Sequence, residues 1–281
     1  MTPKTSVKIE KNVPAIWRKV FPFPKASSHK YSRGTALIRG GDVMTGASRL
    51  AARAAQRVGA GLVTLAAPAV ALPIYAKALE SVIVRKSNTA REWQALVGNK
   101  RRPALLIGPG LGLGVAQKKE VLEALKAQRY AVVDADGLTN FSDKPEKLFK
   151  ALHKNCILTP HEGEFVKLFG AIKGNRIFNV CAAAKQAGCI VLLKGSKTII
   201  ASPNGRVIVN RNAPPWLATA GSGDVLAGMI LGLVAQKMPI FEATAAAVWM
   251  HGRIAELHGP GLIAEDIVEG IPGVLKEILY I

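Results

Sequence analysis

Five stretches of this chain carry residue types whose spacing can do chemistry. The first is Thr219-Ala220-Gly221-Ser222-Gly223-Asp224, followed by the apolar run VLAGMILGLVA. Glycines without Cβ let backbone N–H groups come close to a ligand, and a helix start adds unpaired donors and positive partial charge. Gly221, Ser222 and Gly223 can thus form an anion hole for a phosphate. Asp224, just inside the first turn, has the chemistry of a general base that takes a proton from a hydroxyl aligned on phosphorus. The plain alternative is an acid that complements the helix dipole after a glycine turn. Gly228 and Gly232 are four residues apart and fit helix packing better than ligand contact.

The second stretch, Leu192-Leu193-Lys194-Gly195-Ser196-Lys197-Thr198, ends a strand, turns at Gly195 and offers lysine and hydroxyl donors to a nucleotide's phosphates or ribose. Its glycine spacing is not that of a GxxxxGK[ST] loop, and a hairpin turn with solvated lysines is the plain alternative. The third, Thr159-Pro160-His161-Glu162-Gly163-Glu164, puts a histidine at a strand's carboxyl end, where it can hydrogen-bond a substrate or carry a proton near neutral pH. Glu162 and Glu164 can simply favour the next helix's dipole. The fourth, Gly108-Pro109-Gly110-Leu111-Gly112, lies between a strand and a helix but departs from GxGxxG by its proline. Nearby Asp134-Ala135-Asp136 can position a metal, a water or a lysine, or can make strand-end hydrogen bonds. The fifth, Gly40-Gly41-Asp42-Val43-Met44-Thr45-Gly46-Ala47, suits either close contact with a flat ligand or tight helix–sheet packing.

The elements that must hold these stretches alternate. Strands are expected at 35–39, 61–66, 81–84, 104–107, 131–133, 156–158 and 190–193, with a hairpin from 198–201 and 207–209. Helices are expected at 47–58, 69–79, 115–128, 162–169, 176–187, 223–235, 241–258 and 263–279. Short apolar strands between amphipathic helices argue for an α/β fold with a doubly wound, mainly parallel sheet, in which ligands bind outside the carboxyl ends of the strands. Each of the five stretches except the Thr219–Asp224 turn follows such an end. Residues 1–28 carry Pro14, Pro22 and Pro24 without a clear period and read as an arm or linker remnant; residues 29–281 read as one domain.

Composition narrows the class. Hydrophobic residues make up 49% of 281, enough for a large core. Three cysteines are too few for a disulfide framework or a tetrahedral zinc site, and no residues stand out as metal ligands. No apolar run approaches the ~18 residues of a membrane span, and the N-terminus lacks the apolar centre of a secretory signal, so the expected location is the cytoplasm with no membrane partner. Lys plus Arg number 38 against 19 Asp plus Glu, a formal charge of +19. That balance favours anionic partners, but the basic residues are scattered, the longest run is Lys100-Arg101-Arg102, and no nucleic-acid motif accompanies them. Solubility with a mild pull on anions is the plain reading of this charge and ranks above a nucleic-acid role.

Taken in order, HKYSRG (29–34), MTGASRLAARAAQRVGAGLVTLAAP (44–68), GPGLG (108–112), VVDADGL (132–138), ILTPHEGEF (157–165), LLKGSKTIIASPNGR (192–206) and LATAGSGDVLAGMI (217–230) resemble the ADP/ATP-dependent NAD(P)H-hydrate dehydratases. The resemblance runs over about residues 29–280. It implies a ribokinase-like fold and a repair reaction in which the S epimer of hydrated NADH or NADPH (NADHX, NADPHX) loses water at the expense of ADP, giving AMP, or ATP, giving ADP. By resemblance, Lys194, Gly195, Ser196, Lys197, Thr198 and Gly223 contact the nucleotide. Ala47, Gly110, His161 and Asp224 contact the hydrated dinucleotide, Asp224 acts as base beside the amides of Gly221, Ser222 and Gly223, and Mg2+ bridges the phosphates. It also implies a homo-oligomer, a tetramer in many relatives. Many relatives fuse an epimerase domain; with only ~30 residues before the dehydratase-like region, none is expected here. The GGDVMTG stretch is a residue shorter than the commoner pattern. The runner-up activity is a small-alcohol kinase with the same anion hole and base, and a different class is a silent nucleotide sensor or nucleic-acid binder.

Overall fold

A computed structural model of the chain describes residues 8–99, 101 and 104–280; residues 1–7 of the expected arm, and Lys100 and Arg102 of the basic run, lie outside the described residues. The strands are β1 (Lys8–Lys11), β2 (Thr35–Arg39), β3 (Leu62–Ala67), β4 (Ile83–Lys86), β5 (Ala104–Ile107), β6 (Tyr130–Val133), β7 (Cys156–Leu158), β8 (Ile190–Leu193), β9 (Thr198–Ala201) and β10 (Arg206–Asn210). Among the described residues they form one sheet in the order β1-β10-β9-β8-β7-β6-β5-β2-β3-β4. Pairing is parallel from β8 to β4, antiparallel through the β8–β9–β10 turnbacks, and parallel again where β1 joins β10.

The helices are α1 (Thr45–Arg57), α2 (Leu72–Ala78), α3 (Ala90–Gly98), α4 (Val115–Lys126), α5 (Asp136–Thr139), α6 (Pro145–Ala151), α7 (Glu162–Phe169), α8 (Arg176–Ala187), α9 (Ser222–Ala235), α10 (Ile240–His258) and α11 (Ala264–Tyr280). Successive strand side chains point to opposite faces. In β2, Ala36 and Ile38 pack under α1, α9, α10 and α11, while Leu37 packs with Val121 of α4 and Trp93 of α3 on the other face. Both faces are therefore covered, as a parallel sheet requires, and this is why the central strands read as unbroken apolar runs. The doubly wound, mainly parallel architecture matches the expectation. β5, β7, β8, β9, α7 and α8 fall on the expected residues, and the three last helices within two residues of theirs.

α9 is the buried axis of the helical layer. Added Cβ atoms on Gly228 and Gly232 would lie 2.2 Å from Ala51 O and 2.3 Å from Val58 Cγ1, so these glycines let α1 ride directly on α9. Helices α3, α5 and α6 were not expected; α3 does carry a readable start, the Thr89–Glu92 capping box.

The reading of residues 1–28 as an arm does not hold over the described part. β1 extends the sheet at β10, and Asn12 Nδ2 donates to Asn210 Oδ1 (2.9 Å) and Ala245 O (2.8 Å). Trp17 has no exposed surface and stacks obliquely on Trp249 at 5.7 Å between ring centres. One short edge strand and two 3-10 turns that dock single aromatic residues leave no periodic signal to read.

Candidate active site

The carboxyl ends of β2, β5, β6, β7 and β8 lie side by side on one edge of the sheet, and the start of α9 faces them. Gly221 caps α9 in the left-handed region (φ 85°), and a Cβ there would lie 2.6 Å from Leu50 Cδ1 and 2.9 Å from Ala264 Cβ. Only glycine allows the chain to enter the helix at this angle. Ser222, Gly223 and Asp224 form the first turn, whose amides have no intrahelical acceptor; the Ser222 N–H makes a long contact to Thr219 O at 3.4 Å. The Asp224 carboxyl is pushed up to about 6 by burial first, then by the neighbouring charges of Asp134 and Asp136, with Lys194 opposing. That brings its basicity into the range useful near neutral pH.

Lys194 ends β8. Its backbone N–H donates to Pro160 O (2.9 Å) and its Nζ donates to Asp134 Oδ1 (2.8 Å). A Cβ on Gly223 would sit 3.4 Å from the same Nζ, so the ammonium lies against the first turn of α9. Burial disfavours that charge, but Asp134, Glu164 and Asp224 together outweigh it and raise the Lys194 pKa. Of the groups weighed for the strand-end carboxylate Asp134, the lysine is the one it contacts.

A cavity of about 410 Å³ opens beside this lysine, bordered by His161, Lys194, Gly195, Ser196, Thr198, Ser222 and Gly223, with an apolar wall from Pro214, Pro215, Leu217, Leu226 and Val248. It has the size and mixed lining of a nucleotide-scale pocket. Lys197 instead borders a separate groove of about 610 Å³ with Arg176 and Arg211. His161 caps α7: its Nδ1 accepts from the Gly163 and Glu164 amides (3.0 and 3.3 Å), and Glu164 Oε2 accepts from the His161 amide (2.8 Å). With Nδ1 committed as acceptor, a neutral ring carries its proton on Nε2, which lies 3.6 Å from Glu164 Oε1. Glu164 is therefore more than a dipole complement: it is buried, and desolvation raises its carboxyl, with Asp134 adding and Lys194 opposing.

Gly110 and Ala47 belong to a second cluster. Gly110 has φ 65°, and a Cβ would lie 2.4 Å from Met44 O; a Cβ on Gly41 would lie 1.6 Å from Gly110 O. Ser48 Oγ donates to Pro109 O (2.8 Å), and Ala47 is buried. For Gly41 this is the packing alternative. Asp136 Oδ2 and Asn140 Oδ1 accept from the Gly112 and Gly114 amides, tying this loop to the end of β6. Ala47, Gly110, Gly221 and Asp224 are not among the cavity's bordering residues; Asp224 is joined to it through Gly223 and the Lys194 charge. Among the described residues, no group of three or more His, Cys, Asp or Glu is placed to hold a metal ion.

Sequence reading missed His251, in the middle of α10. Its Nε2 lies 3.1 Å from Ser222 Oγ and 3.0 Å from Ser222 O, and burial holds its pKa down to about 4. A histidine inside an apolar helix gives no local sign of its partner. The Pro214–Leu217 wall was missed as well, although its paired prolines mark a rigid turn.

Comparison with known proteins follows from this geometry. The family described as NAD(P)H-hydrate dehydratase matches residues 35–270. The ADP-dependent (S)-NAD(P)H-hydrate dehydratase of Neisseria meningitidis is 36% identical over 247 residues, covering 85% of this chain and 81% of that protein. The bifunctional NAD(P)H-hydrate repair enzyme Nnr of Salinibacter ruber is 35% identical over 96% of this chain but only 53% of its own length, so the chain spans about half of such relatives. Among solved structures, the Bacillus subtilis ADP/ATP-dependent NAD(P)H-hydrate dehydratase co-crystallised with ATP/Mg2+ superposes with a TM-score of 0.82 at 29% identity, covering 97% and 99% of the two chains. A ribokinase-like protein of Enterococcus faecalis shares the fold with a TM-score of 0.87 at 24% identity, covering 99% and 98%.

Proposed function

The chain belongs to the NAD(P)H-hydrate dehydratase family, and from that premise we propose that it returns the S epimer of NADHX or NADPHX to NADH or NADPH, with ADP (giving AMP and phosphate) or ATP (giving ADP and phosphate) as co-substrate. The observation that carries this reading is a half-buried carboxyl with raised pKa, Asp224, in the turn of α9 against which Lys194 of the nucleotide-sized cavity is held.

Hydroxide leaves poorly, so the hydroxyl of the hydrated ring is first made into a phosphate ester. Asp224 takes the hydroxyl proton as the oxygen attacks the terminal phosphorus of the nucleotide. The amides at Gly221, Ser222 and Gly223, with Lys194 beside them, stabilise the charge spread over the transferred group. Phosphate then departs with the electrons of the C–O bond, pushed by the ring nitrogen's lone pair, and the resulting iminium gives up a proton from the adjacent ring carbon to the departing phosphate, which restores the double bond of the dihydronicotinamide. His161 donates from Nε2 toward the dinucleotide, and Lys194, Gly195, Ser196 and Thr198 take the nucleotide, whose base lies against the Pro214–Leu217 wall. Lys197 steers anions from outside the cavity. Asp134 is engaged by Lys194, and Asp136 and Glu164 by backbone amides; Mg2+ would enter on the nucleotide's phosphates as part of the co-substrate and neutralise their charge there. The reading carries with it a cytoplasmic homo-oligomer, and Ala47 and Gly110 as walls for the hydrated ring.

Incubation with S-NADHX plus ADP, and separately plus ATP, tests the proposal by the returning absorbance of NADH. Recovery with one nucleotide supports it and identifies the co-substrate. No recovery with either, together with a stable phosphate ester on a small alcohol, would replace it with the kinase reading.

A further inference from the structure

Asp134 is the least exposed charged group on this edge of the sheet, at 1%, and it sits at the end of β6, two strands from β8. It reaches across the end of β7 to Lys194 Nζ. The backbone after it is unusual: Ala135 has φ 48° and ψ −122°, a conformation that costs a residue with Cβ and persists only where its surroundings enforce it. Those surroundings are visible. Asp136 Oδ2 accepts from the Gly112 amide at 2.8 Å, and Asn140 both donates to Gly112 O and accepts from the Gly114 amide at 2.9 Å. The turn is thus pinned on one side by the glycine loop, and its other side presents Asp134 to the nucleotide lysine.

We propose that Asp134 is a positioning residue of the nucleotide site, holding Lys194 against the first turn of α9 and keeping that ammonium from pairing with the base, Asp224. This deepens the function proposed above and rests on it. Lys194 is faced by Asp134, Glu164 and Asp224, and Asp224 by Asp134, Asp136 and Lys194. Without the Asp134 charge, the lysine is free to turn to Asp224 or Glu164. It then leaves the phosphate path, and the carboxylate that must accept a proton is neutralised by an ion pair. Asp134 therefore acts on both binding and basicity without touching either substrate.

The test compares the full-length wild type with Asp134→Asn, Lys194→Met and the double variant. ADP affinity is measured by calorimetry in EDTA, and kcat/KM is followed against pH with S-NADHX. ADP binding is expected to weaken at least tenfold in each single variant and no further in the double, and the acid limb of the Asp134→Asn profile is expected to move to lower pH. Unchanged ADP affinity in Asp134→Asn beside a weakened Lys194→Met, or losses that add in the double, would overturn the proposal. So would a loss that appears only with Mg2+ present, which would assign Asp134 to the metal. If Asp134→Asn does not fold, the double variant decides: affinity equal to Lys194→Met supports the pairing, and weaker affinity sinks it. A wild type that binds ADP but never restores NADH would refute the function while leaving the binding arm standing.

Discussion

A carboxylate that accepts a proton near neutral pH must be a stronger base than aspartate in water, and Asp224 achieves this by losing solvent beside Asp134 and Asp136. The kcat/KM profile is therefore expected to rise with pH through an inflection near 6, where Asp224 becomes ionised in the free enzyme. Asp224→Asn should lower kcat by ~10²–10⁴-fold and leave ADP affinity nearly intact; turnover at the wild-type rate would remove the base role. The same pKa shift has a stability consequence. The folded-state pKa, about 6, lies above the ordinary 3.8, so the folded protein holds this proton more tightly than the unfolded chain. Ionised Asp224 thus costs nothing below about pH 4, and its cost is fully present above about pH 6. Asp224→Asn should raise the melting temperature at pH 7 and have little effect at pH 4, with a ceiling of about 3 kcal/mol from ~1.4 kcal/mol per pH unit, lowered by partial exposure. Equal melting temperatures for the two proteins at pH 7 would show that the carboxyl is not desolvated.

Elements place these residues by close approach rather than by length. α9 lies almost wholly buried between α1, α10 and the sheet, so its start cannot shift without moving Ser222, Gly223 and Asp224 together. Gly221→Ala must accommodate a Cβ at positive φ between Leu50 and Ala264. It is expected to cost roughly 1–3 kcal/mol and to lower kcat more than ADP affinity. Gly46→Ala, in the first turn of α1 with nothing within 4 Å of its added Cβ, is the contrast: it should be neutral or raise stability by up to about 1 kcal/mol. Denaturant melts of both variants separate a backbone requirement at α9 from a general intolerance of glycine replacement.

At the scale of the whole molecule, the N-terminal segment closes the sheet edge beyond the β9–β10 hairpin. Trp17 fills the junction of β1 with α10, and its Nε1 donates to Asn12 Oδ1 at 3.2 Å. Trp17→Ala should therefore cost about 3–5 kcal/mol, seen as a lower denaturant midpoint; an unchanged midpoint would make residues 8–23 an ornament on the sheet. The net charge of +19 also acts at this scale. ADP, ATP and the hydrated dinucleotides are all polyanions, and a positive field draws them to the molecule before any specific contact forms. Among the described residues, no helix is long and apolar enough to cross a membrane.

Most of the strands, the longer helices and the motifs at the strand ends were legible in the residues themselves, while β1, α3, α5 and α6 were not. Period, glycine placement and capping are local properties, and β5, β7, β8, α7 and α8 lie where that local pattern puts them. The order of motifs also pointed to the family. What local pattern could not encode is which strand ends become neighbours. Asp134 meets Lys194 across 60 residues, Ser222 meets His251 across 29, and Gly41 meets Gly110 because β2 and β5 pair in the sheet. Those meetings follow from covering both faces of one sheet at the same time, which settles strand order, the seat of Trp17 and the charge environment of Asp224. Burial and through-space charge are properties of the packed molecule, so the basicity of Asp224 was decided by tertiary structure alone.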